Sequence, residues 1–121
     1  MSDRYSRVMG EVDDGQGLVK VVNLTAAAPT YQMRPEDTCV RAYSATGADA
    51  TGIVTLPSLA ESAGRHYFIH APEGATGNDI SLYEKETGVE LTTNGDMDAD
   101  DDHLLLYSTG VSWLTRLDGV A

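Results

Sequence analysis

The sequence predicts an all-β fold: a small antiparallel β-sandwich or barrel, jelly-roll-like, with a flexible N-terminal arm and one short helical turn. Three observations predict it. Runs rich in β-branched and aromatic residues recur about every ten residues. Turn signals separate them at Thr46–Gly52, Gly74–Gly77, Thr87–Gly88, Asn94–Gly95 and Thr109–Gly110. Only one or two helical turns fit between Ser58 and Gly64, where Ser58 and Glu61 have capping-box spacing. The 121 residues suffice for one domain with a modest core.

Taken in order, residues 1 to 17 are polar, acidic and glycine-containing, as in a mobile arm. Leu18–Leu24 has β propensity with apolar residues on both faces. It is assigned to the arm as an attachment strand, so that residues 1–24 form one unit and 25–121 a single β domain. Pro29 and Pro35 fence off Tyr31 to Met33. Strands are expected at Thr38–Ser44 and at Gly52–Leu56, the second ended or placed at an edge by Pro57. Further strands are expected at Arg65–Ala71, Asp79–Glu84 and Val89–Thr93. Leu104–Ser108 and Val111–Leu117 complete a hairpin. No exact internal repeat is visible.

The strands carry more apolar surface than one face uses. Tyr67 and Ile69 alternate with His66, Phe68 and His70. Leu104 and Leu106 oppose Leu105 and Tyr107; Val111, Trp113 and Leu117 are expected to oppose Leu114. One face fills the monomer core, and the other is expected to meet a second sheet or a partner subunit.

Charge narrows the partners. A formal net charge of −11 and a pI near 4.3 argue against nucleic acid and against anionic lipid, both of which call for Lys and Arg. The N-terminus lacks the apolar core of a signal peptide, and no run approaches the roughly 20 apolar residues of a membrane span. Cys39 is the single cysteine, so no intrachain disulfide forms; it is expected as a small buried strand residue.

No motif supplies chemistry. Asp96–Asp102 opens like a calcium loop, but Asp101 stands where the turn glycine belongs and Tyr107 where the closing glutamate belongs. A solvated acidic loop is the preferred reading over a cation site at Asp96, Asp98 and Asp100. On a strand His66 and His70 are about 13 Å apart, too far to share a zinc ion. His103 is read as a strand-start histidine. No G-x-S-x-G elbow or phosphate loop is present. Trp113, Tyr67, Tyr83 and Tyr107 would make a sugar-stacking platform if they met on one surface, but Trp113 is read as a core anchor. No catalytic residue, metal or cofactor is therefore expected, and the chain is not read as an enzyme.

One pattern does suggest a role. Val54, Leu56 and Pro57 end a strand; Gly64 precedes Tyr67 and Ile69; Gly77 and Asn78 precede Ile80 and Leu82; Gly110 precedes Trp113. This resembles phage virion-surface β-modules, which include capsid decoration (cement) proteins and head-fibre or tail-fibre domains. The resemblance covers roughly the C-terminal two thirds of the chain. It implies a homotrimer on the capsid exterior that binds the major capsid protein and stabilises the shell, after synthesis in a host cytoplasm. The short chain without a fibrous shaft suits a decoration protein. A fibre module that binds a host receptor or glycan is the alternative. Under this reading Leu18, Val19, Val21 and Val22 are the capsid-attachment candidates. Phe68, Leu105, Tyr107 and Leu114 are the trimer-interface candidates.

Overall fold

The computed structural model describes residues 19–45, 52–73, 79–91 and 95–120. Among these are nine strands: β1 (Lys20–Thr25), β2 (Thr30–Gln32), β3 (Cys39–Ala45), β4 (Gly52–Thr55), β5 (His66–Ala71), β6 (Ile80–Tyr83), β7 (Asp96–Met97), β8 (Asp102–Ser108) and β9 (Trp113–Asp118). They form two sheets, a larger one in the order β1-β3-β5-β8-β9 and a smaller one in the order β2-β4-β6-β7.

The all-β class holds, but the antiparallel expectation is corrected. The first six strands alternate between the sheets, so β1, β3 and β5 run parallel to one another, as do β2, β4 and β6. A parallel pair needs a long crossover between its strands. Here each crossover contains a strand of the opposite sheet, and the chain winds through three circuits. Antiparallel pairing begins only with β7, β8 and β9. Neither sheet closes into a barrel.

Alternation of side chains across each strand gives the two sheets a common core. The larger sheet contributes Val22, Leu24, Val40, Ala42, Tyr67, Ile69, Leu104 and Leu106; the smaller contributes Val54, Ile80, Leu82 and Met97. The layers approach closely at Gly52. A Cβ there would stand 2.8 Å from Leu24 Cδ1 and 3.0 Å from Ser44 Oγ, so any side chain would push the strands apart.

The boundary expected at residue 24 falls inside β1. Residues 1–18 lie outside the described residues, but β1 is a full member of the larger sheet. It pairs with β3 from Lys20↔Val40 to Thr25↔Ala45, and Val22 and Leu24 are buried. Its apolar residues fall on both faces because one face is core.

The expected helical turn is a hydrogen-bonded turn, and the described residues contain no helix. Ser62 N donates to Ser58 O at 3.0 Å, and Glu61 N reaches Ser58 Oγ at 3.4 Å. Continuation stops at Gly64, whose N–H donates to Ser108 O instead. Val89–Thr93 is reduced, over its described part, to one bridge between Glu90 and Tyr83.

Asp37 fixes the passage from β2 back to β3. Its carboxylate is buried and accepts Tyr31 Oη–H at 2.7 Å and Arg34 N–H at 2.9 Å. Beside it, Pro35 O accepts from Tyr67 Oη and from Arg65 Nη1. Loss of hydration and the bond to Asp37 push the Tyr31 phenol up to about 12.

Two outcomes follow. Leu24→Ala is expected to cost about 2–5 kcal/mol in denaturant unfolding, as a core truncation. Val21→Ala, three residues away on the exposed face, is expected to stay within about 0.5 kcal/mol. Equal small effects would show that β1 is not part of the fold. The raised Tyr31 phenol gives a pH dependence in the alkaline range. The native state holds that proton more tightly than the unfolded chain, so the contribution is complete below pH 10 and lost as pH rises toward 12. Melting of Tyr31→Phe across this range should show a shallower decline than the parent protein.

Candidate functional site

With the core filled from both sheets, no strand among the described residues covers the outer face of the larger sheet. Strand register arranges its side chains in three rows. Cys39, Phe68, Leu105 and Leu117 form one row across β3, β5, β8 and β9. Val21, Arg41, His70 and His103 form the second, and His66, Tyr107 and Leu114 the third. Val21, Leu114 and Leu117 are 50%, 46% and 50% exposed, which is high for such apolar residues in regular strands.

All four trimer-interface candidates, Phe68, Leu105, Tyr107 and Leu114, lie on this face. Leu117 joins them, although simple alternation puts it opposite Leu114. A register shift in the pairing of β8 with β9, between Leu105 and Leu106, inserts one extra residue. Leu114 opposes Tyr107, Thr115 opposes Leu106, and Leu117 then opposes Leu105, so Leu117 turns outward.

The attachment candidates divide. Val22 is buried in the core. Val19 and Val21 are exposed, and Val21 begins a row of the same outer face. Leu18 lies outside the described residues. The two surfaces that the sequence treats as separate therefore meet on one sheet, with β1 at one edge and β9 at the other.

The face also collects every histidine in the chain. His70 and His103 are directly paired across β5 and β8, with ring centroids 6.4 Å apart. Asp101 serves both: its Oδ1 is 3.1 Å from His70 Nε2, and its backbone O is 2.8 Å from His103 Nδ1. Because a carbonyl only accepts, His103 Nδ1 carries the proton in that contact. Asp101 holds this position with a φ of 63°, in the left-handed region. The other edge of the His103 ring lies against Gly119, where any Cβ would collide with the imidazole. Phe68 sits 5.7 Å from His103 and 6.3 Å from His70, and His66 stacks at a tilt on Tyr107 at 4.8 Å. His103 stands at the start of β8, as expected, and is paired there with His70. The pairing was invisible without the strand register.

Other candidates disperse. Tyr67 is fully buried, Trp113 packs edge-on against it at 5.7 Å, Tyr83 belongs to the smaller sheet, and Tyr107 faces outward. No sugar platform forms from these four. Cys39 is half-buried in the outer row rather than in the core, with its thiol pushed up by burial. No group of three or more potential metal ligands forms among the described residues. Nor is the acidic run a simple loop. Asp96 and Met97 pair with β6, while Asp102 is buried and accepts Ala99 N–H at 3.0 Å. The Asp96 carboxyl is held above its ordinary range by loss of hydration, then by the charges of Asp98, Asp79 and Asp102.

The residues of the virion-module pattern that are described serve the core. Val54, Leu56, Tyr67, Ile69, Ile80 and Leu82 are buried, and Trp113 packs against them. Gly77 and Asn78 lie outside the described residues. No protein-family model, curated protein or solved structure matches the chain.

The acidic cluster gives a signed prediction. Raising the Asp96 carboxyl in the native state means its charged form opposes folding. That penalty is present at neutral pH and vanishes below the unfolded value of 3.8. Asp96→Asn should therefore raise the melting midpoint at pH 7, and the gain should shrink as pH falls toward 4. An equal or lower midpoint at pH 7 would contradict the assignment.

Proposed function

We propose that the chain is a structural module that assembles through the outer face of its larger sheet, and that its role is decoration of a phage capsid. The observation that carries the assembly reading is the convergence of Phe68, Leu105, Tyr107, Leu114 and Leu117 on one sheet face that no described strand covers. Sheets made wholly of parallel strands occur almost only with both faces covered, and the β1-β3-β5 part of this mixed sheet is parallel. A large exposed apolar patch on a folded domain marks an interaction surface.

The virion reading adds to this the sequence resemblance in Val54, Leu56, Pro57, Gly64, Tyr67, Ile69, Gly110 and Trp113. In the proposed assembly three copies turn their larger sheets toward a common axis and bury the β5, β8 and β9 side of the face. The β1 edge, carrying Val19 and Val21, points to the capsid shell. At this edge β1 has no second strand partner among the described residues, which suits strand addition to the major capsid protein. Three attachment points per trimer raise avidity without strong single contacts.

Light scattering at micromolar concentration tests the first step. A trimer is expected, and Leu114→Asp with Leu117→Asp should shift it to monomer by weakening association by about 2 kcal/mol or more. A parent protein that stays monomeric would refute assembly through this face. Co-sedimentation with undecorated capsid shells tests the second step. The parent should bind, and Val21→Asp should lose binding while remaining trimeric. A trimer that ignores shells but binds glycans would replace decoration with receptor binding.

A further inference from the structure

We draw no further inference here: the strongest candidate, the side-chain cluster of His70, Asp101 and His103 where β5 pairs with β8 on the outer face of the larger sheet, carries nothing because nothing in the structure shows what covers that face.

Discussion

Everything in this molecule depends on burial between two sheets that the chain visits in turn. Val22 and Leu24 of β1, Tyr67 and Ile69 of β5, and Leu104 and Leu106 of β8 point inward from one sheet; Val54, Ile80, Leu82 and Met97 point inward from the other. Each circuit adds one strand to each layer, so no circuit buries its apolar face alone and each relies on the next. At the end of the winding, β8 and β9 reverse direction and complete the larger sheet. The close approach at Gly52 and the carboxylate of Asp37 are local consequences of that winding. One lets the layers touch, and the other satisfies the backbone where the chain turns from β2 toward β3.

The same winding creates the exposed face. Strands that alternate strictly send every second residue away from the core, and in β5 and β8 those residues are His66, Phe68, His70, His103, Leu105 and Tyr107. Strand pairing then brings residues far apart in sequence into contact. His70 and His103 meet only because β5 pairs antiparallel with β8. Asp101, one residue before β8, is carried into the same contact by its left-handed backbone. The character of this face is therefore set by pairing, not by any contiguous motif.

This explains what the sequence made legible. Strand positions were readable because β propensity and alternation are local: the predicted Arg65–Ala71 and Asp79–Glu84 enclose β5 and β6. The two-faced apolar content of β5, β8 and β9 was readable for the same reason. Strand direction was not. A turn of a few residues looks alike whether the next strand returns beside its predecessor or crosses to an opposing sheet, and the circuits share no repeated sequence. That β1 pairs with β3 was not legible, because a core-facing Val22 and an outward Val21 look alike without a partner strand. Leu117 was assigned to the wrong face because a bulge breaks the alternation on which the assignment rests.

A module built this way separates stability from recognition more cleanly than the sequence suggests. Of the described residues that carry the resemblance to virion-surface modules, Tyr67, Ile69, Ile80 and Leu82 are buried and specify the layers, whereas Gly64 is exposed. The outward rows differ in chemistry: Phe68 and Leu105 are apolar, Arg41 is cationic, and His66, His70 and His103 carry imidazoles. A sheet whose inner face is fixed by packing, and whose outer face is free to vary, is a suitable scaffold for assembly. The proposed role in a shell rests on this physical division.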